Sequence, residues 1–338
     1  MRHRPDDMPA IVHTGAAGVD GIRTDTVPVP EAGPGQVLVA VNYAGLNRHE
    51  LFTAMRRTGS EPPLVIGADA FGKVVARGEG VSRIANGETV VLNPTTNWEK
   101  KHDIPNHPAI LGSASPGTFA RYVAVPENNV FPAPPHLTEI EAGAFGLAAV
   151  TAYRALFTVG DITAGEHVLI TGVGGGVALL ALDFALSAGA EVTVTSRSET
   201  KRAFALDRGA HHAIDSSAVK NADGKPFDLV VDSLGAGSVT QALTKLAPGG
   251  RVVTFGATTG GDIELSLRDI FFRQHRILGT SVGSGEEFAM MLEHVGRAEI
   301  RPVIDSVHPL GQGPEVIRHS AKGDAIGKYV FKIGGEFK

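Results

Sequence analysis

His167-Val-Leu-Ile-Thr-Gly-Val-Gly-Gly-Gly-Val-Ala178 is the stretch whose reading decides the fold. A short apolar run, His167–Thr171, ends in a glycine cluster, and helical periodicity begins at once over Val177 to Ala188. Glycines allow a tight turn and let backbone N–H groups approach a pyrophosphate, whose charge the following helix N-terminus favours. A glycine cluster is specific only in this strand–turn–helix setting. In the best register Val173, Gly175 and Ala178 take the three glycine positions of the dinucleotide fingerprint. Alanine suits the third, whereas valine at the first requires the turn to be made through Gly172 or Gly174. The turn predicts a dinucleotide site contacted by Gly174, Gly175, Gly176 and Val177.

Downstream, strands alternate with helices. Strands are predicted at Glu191–Thr195, Ala213–Asp215, Asp228–Asp232, Arg251–Phe255 and Arg276–Gly279, and helices at Glu139 to Ala155 and Glu199 to Asp207. Such alternation implies a doubly wound parallel sheet, an α/β Rossmann fold. The second strand ends in Thr195 and is followed by Ser196, Arg197 and Lys201. An NAD site places Asp or Glu near this point to bind the ribose hydroxyls. A hydroxyl and cations there suit a 2′-phosphate instead, so the sequence predicts NADPH. The competing reading makes Arg197 and Lys201 solvated charges of the next helix.

Upstream, residues 9 to about 126 are strand-rich, with β-type runs at Gln36–Asn42 and Gly72–Arg77; residues 93 to 116 read as a polar surface loop. After Glu286 a helix, a strand at Val303–Val307, a short helix and a terminal strand at Lys328–Ile333 are predicted. The chain has 338 residues, 43% apolar and 20% charged, enough for two domains. A net charge of -5 argues against nucleic-acid or anionic-membrane partners. The greasy stretch from Val168 to Ala190 contains five glycines and Asp183, so it reads as strand, turn and buried helix rather than a membrane span. Met1 to Asp7 is charged with no apolar run behind it, unlike a secretory signal, and a cytoplasmic protein is expected. There is no cysteine, which excludes disulfides, thiolate zinc sites and cysteine nucleophiles. His102 with His107, and His211 with His212, lack the flanking ligands of a metal site, and none is expected.

In order and spacing, the motifs resemble the medium-chain dehydrogenase/reductase superfamily, near its quinone oxidoreductase branch, from about residue 9 to 333. They are Gly45-Leu-Asn47, Gly67-Ala-Asp69, Gly117-Thr-Phe-Ala-Arg-Tyr122, Ala148-Ala-Val-Thr-Ala-Tyr153, Asp232-Ser-Leu-Gly235, Ala247 to Gly256 and Ile300 to Ile304. The resemblance implies a β-rich GroES-like catalytic domain over residues 1–126, a Rossmann domain over 127–283, a returning segment over 284–338, a cleft between the domains and a homodimer. Along the cofactor it implies Thr151, Ser233, Leu234, Phe255, Gly256, Ala257, Thr280 and Ser281; packing of the sheet top is the alternative for several.

Zinc enzymes of this superfamily place a Cys where Asn47 stands, a His-Glu pair where Ala68-Asp69 stands and another Cys near Gly146. Asparagine and alanine do not replace thiolate and imidazole as zinc ligands. Without a Lewis acid for an alkoxide, the expected reaction is hydride addition to a quinone or an activated alkene. Tyr43 and Asn47 are the polar candidates beside the substrate, with a structural role the alternative for each; Phe52, Met55 and Trp98 are candidates for apolar walls or for core. Two further readings stay open: a zinc-independent carbonyl reductase, and an NADPH-binding protein without catalysis. A methyltransferase also uses a glycine turn, but it has no need of Ser196 and Arg197.

Overall fold

The computed structural model describes residues 5–221 and 224–335; residues 1–4 of the charged N-terminal stretch lie outside the described residues. The chain forms two compact units, one running to Leu147 and resuming at Gly283, the other spanning Ala148–Val282.

The first unit begins with β1 (Asp7–His13), β2 (Ile22–Pro28), β3 (Gln36–Gly45), α1 (Arg48–Arg56), β4 (Leu64–Val65), β5 (Phe71–Arg77) and β6 (Thr89–Leu92). It continues through β7 (Tyr122–Pro126), β8 (Val130–Pro132), α2 (Glu139–Ala142) and the start of α3 (Gly146–Tyr153). Apolar residues of β3 fill its centre, because that strand pairs antiparallel with β5 on one side and with β7 and the chain's last strand on the other. Val37, Val39 and Val41 are all fully buried, in one cluster with Phe119 and Phe331, whose rings meet edge to face at 4.9 Å.

The second unit holds β9 (His167–Ile170), α4 (Gly176–Ser187), β10 (Glu191–Thr195), α5 (Glu199–Asp207), β11 (His212–Ile214), β12 (Phe227–Asp232), α6 (Ala236–Leu243), β13 (Leu246–Thr254), α7 (Leu267–Arg273) and β14 (Arg276–Gly279). Its six strands are parallel, in the order β11-β10-β9-β12-β13-β14. This is the dinucleotide-fold order, with the reversal of direction beside β9. Helix α4 is apolar nearly all round, and seven of its residues from Ala178 to Ala185 are buried, as a core helix requires. No described helix is long and apolar enough to cross a membrane.

The chain then returns to the first unit through α8 (Gly285–Arg297), β15 (Ile304–Pro309), α9 (Gly313–Ser320) and β16 (Lys328–Lys332). Strand β16 pairs with β3 from Val330↔Gly45 to Lys332↔Tyr43, and the Leu46 N–H donates to the Tyr329 carbonyl at 2.9 Å. The last strand thus lies against the turn that carries Asn47.

Three expectations change. Residues 127–147, grouped above with the Rossmann domain, belong by contact to the first unit: α2 ends beneath β3, where the Gly45 N–H donates to the Gly143 carbonyl at 2.8 Å. The single helix over 139–155 breaks at that point into α2 and α3, and a π-helical turn, Arg154–Val159, follows. A Cβ on Gly143 would stand 2.7 Å from the Tyr43 Cβ, so the backbone passes too close to β3 for a continuous helix with side chains. The 93–116 segment is also less superficial than its polarity suggests. Trp98 is 3% exposed, with its indole N–H donating to the Lys100 carbonyl, and Asn129 donates to the Asn93 and Thr95 carbonyls.

Candidate functional site

In the second unit the turn after β9 is made by Gly172 and Gly174, at φ +67 and +129, on either side of a buried Val173. Val173 N–H donates to the Thr195 carbonyl at 2.7 Å, tying the turn to the end of β10. A Cβ on Gly172 would stand 2.8 Å from a methyl of Leu234, and one on Gly174 would stand 2.5 Å from Cδ of Lys201. A Cβ on the exposed Gly175 would meet nothing within 4 Å, so the α4 N-terminus is open. Open backbone at a helix N-terminus accepts an anion.

Asp232, fully buried, organises the neighbouring strand ends. Its carboxylate accepts from Thr171 Oγ1 at 2.7 Å and from Gly235 N at 2.7 Å, and Phe255 N–H donates to its backbone carbonyl. A Cβ on Gly256 would lie 2.0 Å from the Ser233 carbonyl oxygen, so glycine is required there. Gly172, Gly174, Lys201, Ser233, Leu234, Gly256 and Ala257 are thereby gathered at the carboxyl ends of β9, β12 and β13. Ser196 is buried and its Oγ accepts from Ser198 N–H; Arg197 beside it is exposed. No carboxylate follows β10 before Glu199. Thr280 N–H donates to the Thr254 carbonyl, which puts Thr280 and Ser281 at the end of β14, and Thr151 is buried on α3. Together these groups fit a dinucleotide.

In the first unit the polar residues converge on Asn47, the residue before α1. Its backbone N–H donates to Glu50 Oε2 at 2.7 Å, the carboxyl half of a capping box. Asn47 Nδ2 donates to Asp69 Oδ2 at 3.0 Å, and Lys328 Nζ donates to Asn47 Oδ1 and, at 3.2 Å, to Asp69 Oδ2. Leu147 N–H donates to Asp69 Oδ1 at 2.6 Å, and Thr118 Oγ1 fixes the Asp69 backbone carbonyl. Lys328 is 4% exposed, Asp69 and Glu50 are fully buried, and Asn47 is 8% exposed.

Glu50 Oε1 has no hydrogen-bond partner among the described residues. Burial pushes the Glu50 carboxyl up to about 7 against the lowering pull of Lys328, and the Asp69 charge adds to the rise. His49, half-buried on α1, is held down to about 4 by desolvation and then by Arg56, so its imidazole is neutral at pH 7.

Of the residues singled out in sequence, Asn47 lies at the centre of this cluster. Tyr43 lies on β3, half-buried, with no hydrogen bond from its hydroxyl to the cluster. Phe52 and Met55 are 41% and 67% exposed on α1, whereas Trp98 is core. Glu50, His49 and Lys328 were not anticipated. The Asn-x-x-Glu spacing before an apolar run was a visible signal for Glu50. Lys328 is 281 residues from Asn47, and no local pattern pairs them.

Residues 33–135 match the alcohol dehydrogenase GroES-like domain family, and residues 176–297 match the zinc-binding dehydrogenase family. A zinc-type alcohol dehydrogenase-like protein of Schizosaccharomyces pombe is 33% identical over 342 residues, covering 96% of this chain and 98% of the relative. The chain belongs to the medium-chain dehydrogenase/reductase superfamily, in its quinone oxidoreductase-like branch. It is an oxidoreductase of a family that binds nicotinamide cofactors. Human quinone oxidoreductase is 28% identical over 329 residues, covering 92% of this chain and 93% of that protein. The crystal structure of an NAD-dependent alcohol dehydrogenase, 31% identical, superposes with a TM-score of 0.87 over 97% of this chain and 100% of that one.

The zinc in the family's name does not fit the residues here. Asn47 and Ala68 offer neither thiolate nor imidazole, and the Asp69 carboxylate is engaged by an ammonium. Among the described residues no three His, Asp or Glu side chains stand close enough together to hold a metal ion.

Proposed function

We propose that this chain is an NADPH-dependent reductase that delivers hydride to a quinone or an α,β-unsaturated carbonyl without zinc. The observation that carries the reading is the Lys328 ammonium bonded to both Asn47 and Asp69, which leaves a metal no donor set there. Stabilising an alkoxide in alcohol oxidation calls for a Lewis acid, whereas an electron-poor acceptor needs only positioning and a hydrogen bond to its oxygen. NADPH, when bound, supplies the hydride from its nicotinamide. Asn47 commits one Nδ2 hydrogen to Asp69, and the other is available to an acceptor oxygen. Tyr43 or water supplies the proton that completes the reduction.

The preference for NADPH draws on Ser196, Arg197 and Lys201 in the absence of an acid at the end of β10. A homodimer through the free edge of β14 fits the same reading, since α7 beside it exposes Leu267, Phe271 and Phe272 at 74%, 61% and 67%. Sedimentation of a monomer at micromolar concentration contradicts that part alone.

The test is turnover of purified protein with NADPH or NADH against benzoquinone, a cyclic enone and a simple aldehyde. Quinone or enone reduction with kcat/KM about tenfold higher for NADPH supports the reading. No turnover with either acceptor, or a preference for NADH, overturns it. The relatives described as alcohol dehydrogenases favour a second reading, carbonyl reduction, which yields an alcohol from the aldehyde and leaves the enone's alkene intact.

A further inference from the structure

A lysine ammonium buried to 4% exposure is costly to desolvate, and a well-packed apolar pair in the same space is commonly as stable or more so. The Lys328–Asp69 pair therefore calls for an account beyond stability. Its geometry supplies one. Lys328 has only donors, so it faces the Asn47 carbonyl oxygen; ionised Asp69 has only acceptors, so it faces the Asn47 amide nitrogen. Turning the amide over would set NH2 against NH3+ and carbonyl oxygen against carboxylate. Both ends of the side chain are fixed, and the second Nδ2 hydrogen is left in one direction. An ammonium on the carbonyl also draws charge through the amide, which strengthens that remaining N–H as a donor.

The holders are themselves held. Asp69 takes Leu147 N–H on its other oxygen at 2.6 Å, and Thr118 at its backbone carbonyl at 2.7 Å. Lys328 follows Gly327, at φ +102, on the strand that pairs beside the Asn47 turn. Each member of the network comes from a different part of the chain, and none is free to rotate.

We propose that Lys328 and Asp69 are positioning residues that orient and polarise the Asn47 amide, so that its remaining N–H binds the oxygen of the hydride acceptor. The built-in ammonium acts on the acceptor through Asn47, where a Lewis acid would act directly. The inference rests on the reductase reading for its kinetic part and on the fold alone for its structural part.

The test compares wild type, Lys328→Met, Lys328→Arg and the double variant Lys328→Met/Asp69→Asn. Thermal unfolding and the side-chain amide NMR signals of 15N-asparagine protein are read alongside kcat; loss on Asn47→Ser assigns the Asn47 pair. Lys328→Met is expected to lower both melting temperature and kcat. The double variant is expected to recover most of the melting temperature, since no unpaired charge remains, while kcat stays about 100-fold down, the scale of losing one transition-state hydrogen bond. KM for NADPH is expected to stay within about twofold. The Asn47 amide protons should shift and exchange faster in the double variant. If kcat returns together with stability, or Lys328→Met keeps wild-type kcat, the positioning role fails. If the Asn47 signals are unchanged in the double variant, the orienting contact itself is wrong, whatever the acceptor. Should Lys328→Met not fold, the double variant and Lys328→Arg carry the same comparison. A wild type inactive on every acceptor refutes the reductase reading and leaves the NMR result to decide the inference.

Discussion

The turn between β9 and α4 and the cluster around Lys328 are both built from hydrogen-bonding groups, yet they are made of different materials. The turn is nearly all backbone: Gly172 and Gly174 in left-handed conformations, an open Gly175, and the first N–H groups of a helix. The cluster is centred on side chains: a buried carboxylate and a buried ammonium close around the Asn47 amide, with a second buried carboxylate on the Asn47 backbone N–H. A backbone site costs little to leave solvated and tolerates change in its neighbours. A buried ionic site has a large desolvation cost at every member, so losing one partner exposes it in full.

That difference sets the order of expected effects. Lys328→Met leaves the buried Asp69 without its counter-charge and should cost about 4 kcal/mol of stability, read from denaturant unfolding at pH 7. A loss within error of zero would mean that the pair is solvated in solution. Next comes Glu50. Its carboxyl lies near 7 in the fold against an ordinary value of 4.5, so the folded chain keeps a proton that the unfolded chain releases. Stability from this group is complete below about 4.5 and lost as pH rises through about 7, a change of about 3 kcal/mol. Glu50→Gln should flatten the stability profile over that window; an unchanged slope assigns the effect elsewhere.

Effects on the turn should be smaller. Gly174→Ala forces a side chain into φ +129 and toward Lys201, with an expected weakening of cofactor binding and a loss of about 2 kcal/mol in unfolding free energy. Calorimetric titration checks the first and thermal unfolding the second. Arg197→Ala is the mildest: on the proposed NADPH preference it should weaken NADPH about tenfold and leave NADH unchanged, the side chain being exposed beside the end of β10. Equal weakening of both cofactors would return Arg197 to the status of a surface charge.

The same contrast explains what could be read before the fold was seen. A backbone site is written in one window, so residues 167–178 announced strand, turn and helix, and Glu191–Thr195, Glu199–Asp207 and Arg276–Gly279 have the bounds their patterns predicted. Helices α6 and α7 escaped. The first has a stripe of only Val239, Ala242 and Leu243 with Gly237, Ser238 and Thr240 among them, too short to stand out as a helix, and the second leaves its apolar side chains exposed and shows no core-facing stripe. The cluster draws on residues 47, 50, 69, 147 and 328, and only Asn47–Glu50 has local spacing. Its lysine arrives through strand pairing between β16 and β3, a long-range fact with no local signature. Missing ligands at Asn47 and Ala68 were legible; the ammonium bonded to Asn47 and Asp69 was not.

A reductase that works without a metal should keep its activity when stripped of zinc. The protein is dialysed against a strong chelator until elemental analysis finds less than about 0.05 zinc per chain, and NADPH oxidation with quinone or enone is then compared with the undialysed sample. Unchanged kcat, with no gain on adding zinc, is the predicted result. Activity that disappears with the metal and returns with zinc would contradict it.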